Sequence, residues 1–181
     1  LGDFILDNIR PEACGKLYRL DLFSDTRFDE TIKYAEDLDM NYRLMKKASR
    51  FISTDEGFYH YIRRADSITS AEATTARVNL YRITEKFVEL SEPDSELYEK
   101  SISRHARVLF ATLSRLLSKD EEDSGGKEMV EAFFGTIVNE IRKYRKDIVK
   151  NKYLSVKYKI SATIIAISPR LFVSLNGLLG R

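Results

Sequence analysis

From residue 71 onward, apolar side chains return every three or four positions, the repeat of an amphipathic helix. This pattern predicts a helix over 71–90, ended by the break "SEPDSE". A second is predicted over 95–118, with Tyr98, Ile102, Leu109, Leu113 and Leu116 as its apolar stripe. The charged, glycine-bearing "SKDEEDSGGKE" reads as an exposed loop. A third helix is predicted over 127–146, burying Val130, Phe133, Phe134, Ile137, Val138 and Ile141. Beyond Tyr153 one or two short helices are broken at Pro169.

Upstream the pattern changes. Residues 12–23, "EACGKLYRLDLF", predict a short strand and then a turn of helix that Asp21 would cap. Residues 26–35 read as loop. Leu38, Tyr42, Met45 and Ser49 predict a helix over 36–49, with Lys46 and Lys47 in its last turns, where the helix dipole favours cations. "RFISTDEGFYHYIR" alternates polar and apolar positions around Gly57, as a hairpin or two short strands would. No internal repeat is apparent. The fold class expected is mainly α with a small β part.

With 181 residues the chain is one large domain or two small ones, long enough to bury a core. Only three prolines and eight glycines interrupt it, which favours helix. The single Cys14 has no partner for an internal disulfide and points to a reducing compartment. No signal peptide is visible, and a start at Leu1 reads as a piece cut from a longer protein.

Charge divides the chain. Residues 1–100 hold 15 basic and 20 acidic side chains, whereas residues 101–181 hold 15 and 8. The excess is densest over 142–159, where only Asp147 opposes eight Lys or Arg, and it suggests an anionic surface as partner. The apolar tail "ISATIIAISPRLFVSLNGLLG" follows directly. Pro169 and Arg170 interrupt it, so neither half reaches the roughly 20 residues of a spanning helix. It is expected either to pack in the core or to lie on a membrane surface.

The densest chemistry lies in "YAEDLDMNYRLMKKA", residues 34–48. Asp37-Leu38-Asp39 spells D-x-D, a pattern associated with divalent metals. On a helix, however, positions two apart point about 200° away from each other, so this pair is not expected to grip one ion. Glu36 and Asp37 lie about 100° apart and both suit the mouth of a helix, where unpaired N–H groups favour carboxylates. Capping charge and catalytic base both remain open on this pattern alone.

Three blocks in order resemble the C-terminal part of bacterial family 2 glycosyltransferases: "CGKLYRLDLF", "RFDETIKYAEDLDMNYRLMKKA" and "FISTDEGFYHYIRRADSIT". The resemblance covers residues 12–70 and leaves 71–181 as a helical C-terminal extension. It implies the acceptor-side part of a GT-A α/β domain that transfers a sugar, with inversion, from a nucleotide-sugar donor to a hydroxyl of a glycan or lipid-linked acceptor. By the same resemblance Asp37 would be the general base and Glu36 would position the loop or an acceptor hydroxyl. Arg63 and Arg64 would contact the donor diphosphate, His60 would touch phosphate or metal, and Lys16 would border the acceptor cleft. For His60 an ordinary strand role, and for Arg63 and Arg64 a surface or structural one, fits the residues better, and for Lys16 a solvated role fits equally.

The nucleotide-binding half that such enzymes carry upstream has no counterpart here, since residues 1–11 are too short to hold it. Divalent metal, Mg or Mn, is expected in the full-length enzyme, with its ligands outside this chain. Cell-surface polysaccharide or glycolipid synthesis and a cytoplasmic location, at the inner face of the plasma membrane, are what the family implies. The edge facing the missing half is expected to be apolar and to offer a route to a homodimer. The rival expectation is a non-enzymatic helical module that docks on a membrane or an acidic partner. Nucleic acid is not expected, because Tyr144, Tyr153 and Tyr158 are spaced as in any packed helix.

Overall fold

The computed structural model describes residues 1–32, 34–54, 56–60, 62, 73–117 and 127–179, without the side chains of 73–79, 115, 127–132 and 176–179. Described elements are mainly helical: α1 (Gly2–Ile5), a 3-10 turn (Leu20–Phe23), α2 (Glu36–Lys47), α3 (Ala73–Glu89), α4 (Glu96–Leu116), α5 (Lys127–Lys143), α6 (Arg145–Lys150), α7 (Val156–Ile167) and α8 (Pro169–Leu179). The chain forms two compact units, Leu1–Ile83 and Thr84–Arg181.

No strand occurs among the described residues, which corrects the expected β part. The reason is that a strand exists only by pairing with a neighbour. Around 10–18 the backbone spends its polar groups on side chains instead: the Ala13 N–H on Asp37, the Pro11 carbonyl on Asn41, and the Arg10 and Glu12 carbonyls on Lys16. The turn of helix that follows is present, but Asp21 sits inside it, bonded to Arg19, and caps nothing. Residues 51–54 and 56–60 run exposed, with local bonds from the Phe58 N–H to the Glu56 carbonyl and from the Glu56 N–H to the Thr54 hydroxyl. Alternating side chains there have no facing strand to pair with among the described residues.

In the first unit α2 is deeply embedded. Leu38, Met40, Tyr42 and Leu44 are buried, and so are the polar Asp39 and Asn41 between them. Its start is unusual, because Ala35 precedes it with a left-handed backbone, φ 61°. For a residue with a Cβ this costs about 1–2 kcal/mol. The Ala35 carbonyl nevertheless accepts the Leu38 and Asp39 N–H groups and closes the first turn.

The second unit is a helical assembly around α4, which packs against α5, α6 and α7. Ile102, Ala106, Leu109 and Leu113 form its buried stripe, opposed by Ile137, Val138 and Ile141 of α5, Ile148 of α6, and Ala162 and Ile165 of α7. Of the expected α5 stripe, Phe133 and Phe134 are half-buried, and the Val130 side chain lies outside the described residues. Ser95 caps α4 by accepting the Tyr98 N–H at 3.0 Å. Between α6 and α7, Asn151 is 3% exposed; its amide donates to the Glu99 carbonyl at 2.7 Å and its Oδ1 accepts the Tyr153 N–H at 2.9 Å. The break at Pro169 falls as expected: Ser168 is extended, its hydroxyl accepts the Leu171 N–H, and Pro169 opens α8. Among the described residues no helix is long and apolar enough to cross a membrane.

Candidate functional site

The polar positions of α2 divide into two sets, each holding a different stretch of chain. Asp37 and Asn41, one turn apart, face residues 11–18. Asp37 Oδ2 accepts the Ala13 N–H at 3.0 Å, while Asn41 donates to the Pro11 carbonyl at 2.7 Å and accepts the Tyr18 hydroxyl at 2.7 Å. Burial raises the Tyr18 pKa, the bond to Asn41 opposes the rise, and the charges of Asp37 and Cys14 add to it.

Asp39, Arg43 and Lys47 form the second set and face 25–27. Asp39 Oδ2 accepts Arg43 Nε at 2.8 Å and Nη2 at 2.7 Å, and Arg43 Nη2 also donates to the Arg27 carbonyl at 2.8 Å. Lys47 reaches Asp25 and the Thr26 hydroxyl. The two aspartates of D-x-D are therefore committed in different directions, as the helical angle requires. Neither makes a side-chain cap, since α2 has no side-chain cap hydrogen bond. Glu36 is half-buried at the helix mouth and has no hydrogen-bond partner among the described residues.

The turn at 13–16 is shaped by Gly15, whose φ of +69° favours glycine. A Cβ built there would lie 3.5 Å from the Tyr59 Cβ, so the turn sits closely against the segment that carries His60. Lys16 is turned back on this loop, donating to the Arg10 carbonyl at 2.7 Å and the Glu12 carbonyl at 2.5 Å. His60 is exposed. Arg63 and Arg64 lie outside the described residues. The structure thus brings Asp37 and the 13–16 turn together and sets Tyr59 beside them. Tyr18 and Asn41 are the members that sequence reasoning missed; the four-residue spacing of Asp37 and Asn41 places them on one helical face and was the available signal.

A divalent ion does not fit these residues. Among the described residues no group of three or more His, Cys, Asp or Glu is placed to hold one, and Asp37 and Asp39 point to separate partners.

The second unit holds one further polar cluster. His105 is 1% exposed, its Nδ1 lies 2.9 Å from the Thr84 hydroxyl, and its Nε2 lies 3.8 Å from Glu140 Oε2. Lys143 bonds Glu85 at 3.1 Å and lies 3.4 Å from Glu140. Tyr144 meets the imidazole edge-on at 5.5 Å between ring centroids. Hydroxyl, imidazole and carboxylate stand in a row, but Thr84 is fully buried, so the row is a core network without access for a substrate.

No known protein family, no curated protein and no solved structure matches this chain.

Proposed function

We propose that the first unit is the acceptor-side part of an inverting family 2 glycosyltransferase of GT-A type, with Asp37 as general base. One observation carries the reading. The stretches that bear the resemblance meet at a single turn: Ala13, just ahead of the first block, on Asp37 of the second, and Gly15 of the first on Tyr59 of the third. An acceptor site needs segments distant in sequence to meet beside the base, and a helix cap does not require it.

In this reading Asp37 keeps Oδ2 on the Ala13 N–H and offers Oδ1 to the acceptor hydroxyl. The proton passes to Oδ1 as the acceptor oxygen bonds to the anomeric carbon on the face opposite the departing nucleoside diphosphate. The sugar–phosphate bond breaks with its electron pair on the diphosphate. Glu36, beside Asp37 at the helix mouth, orients the acceptor. Exposed Leu17, Leu20, Phe51, Ile52, Phe58 and Ile62 form the kind of apolar surface that a donor-binding half would cover.

Turnover by the enzyme that joins this unit to a nucleotide-binding half tests the reading. Asp37→Asn is expected to lower turnover by roughly 10²–10⁴-fold while the protein stays folded. Wild-type turnover in that variant refutes the assignment.

A further inference from the structure

α7 is apolar on almost every side, yet only one side is used by the core. Ala162 and Ile165 are fully buried and Tyr158 packs on Phe110, whereas Val156, Ile160 and Ile167 are 68%, 54% and 74% exposed. At about 100° per residue these three fall within one narrow arc, opposite the buried side. Lys157 and Lys159 flank that arc on its two sides. Lys150 closes α6, which precedes α7, and Arg170 lies in the first turn of α8, both exposed. Beyond the break, α8 exposes Leu171 and Leu175. The nearby Lys143 and Lys152 are taken by Glu85 and Glu99, but Lys150, Lys157 and Lys159 have no ion-pair partner among the described residues.

We infer that this face of α7 docks on an anionic lipid bilayer. Val156, Ile160 and Ile167 enter the boundary between headgroups and acyl chains, while the lysines reach lipid phosphates from either side of the stripe. The charge pattern selects this occupant. A second copy related by a two-fold axis would set lysine flanks against lysine flanks. A nucleic acid would satisfy the lysines but find aliphatic side chains where bases need aromatic platforms. A bilayer satisfies both features at once, and the absence of a spanning-length helix among the described residues fits a surface position. The inference stands apart from the transferase reading and does not depend on it.

The full chain provides its own reporter, because it contains no tryptophan. Ile160→Trp places a single indole in the stripe at an exposed site. Its emission is expected to shift to the blue with vesicles of mixed phosphatidylglycerol and phosphatidylcholine, and to stay unchanged with pure phosphatidylcholine. In flotation, wild-type binding is expected to weaken sharply between low and physiological salt. Lys150→Gln, Lys157→Gln and Lys159→Gln together are expected to weaken it about a hundredfold. Ile160→Ser with Ile167→Ser is expected to weaken it at least about tenfold, with unchanged helical circular dichroism. The inference is overturned by an unshifted emission with the anionic vesicles or by equal binding to both vesicle types. It is also overturned if the serine pair abolishes a dimer that never binds vesicles, which would assign the stripe to a second copy.

Discussion

Asp37 and Ala13 are joined by a 3.0 Å hydrogen bond across 24 residues of sequence, carboxylate to backbone N–H. A carboxylate at the mouth of α2 thus fixes a distant turn instead of capping its own helix. Asparagine retains an acceptor oxygen for this bond, and alanine does not. Asp37→Ala is expected to lose about 1–2 kcal/mol of stability and Asp37→Asn clearly less. Urea unfolding of both variants measures the difference; equal losses would show that the tie to Ala13 contributes nothing.

Asp39 and Arg43 should behave as a structural pair. The Asp39 side chain is 8% exposed and that of Arg43 34%, and Arg43 also holds the Arg27 carbonyl. Removing either partner is expected to cost about 1–3 kcal/mol, the charge of Asp39 being the harder to leave alone. In a double-mutant cycle with Asp39→Asn and Arg43→Met, the double variant should lose less than the sum of the two single losses. Additive losses would contradict the pairing.

Acid should weaken the second unit through Glu140. His105 beside it lowers its pKa, burial opposes this, and Lys143 adds to the lowering. A folded pKa below the unfolded one means that the stabilisation is present at neutral pH. It is lost as pH falls past the ordinary glutamate value, about 4.3, and through the lower folded one. Wild type and Glu140→Gln should therefore differ in urea midpoint at pH 7 and converge in acid. Curves that stay parallel across that range would remove Glu140 from the acid response.

Nucleotide-sugars should not bind this chain tightly on its own, because the proposed donor half is not among these residues. Titration calorimetry with common uridine- and guanosine-diphosphate sugars is expected to show no micromolar affinity. A micromolar constant would mean that the donor site lies within residues 1–181.

How much of this was legible depends on the range of the interaction. The stripes of α4 and α5 and the break at Pro169 follow from contacts repeated every turn, which a single segment displays. So does the divergence of Asp37 and Asp39, fixed by helical angle alone. The absence of strands among the described residues marks the other limit. "RFISTDEGFYHYIR" has a strand's alternation, but a ladder needs a second segment, and no local pattern reports whether one is present. The same holds for Ala13 on Asp37 and Pro11 on Asn41, where the partner lies more than twenty residues away. α6 was hidden differently, since its six residues are too short for a periodic stripe to emerge from the surrounding lysines.

The exposed apolar side chains between 51 and 62 have a practical cost. Phe51, Ile52, Phe58, Tyr59 and Ile62 stand exposed, with no strand ladder among the described residues, in a run whose composition favours extended pairing. Such a run is a template for other chains, and at high concentration identical copies can zip together edge to edge. The exposed charge of Glu56 within the run acts as a gatekeeper against such pairing. Lysine at Ile52, whose side chain points into solvent, should raise the concentration at which the protein stays dispersed while leaving the α2 network intact.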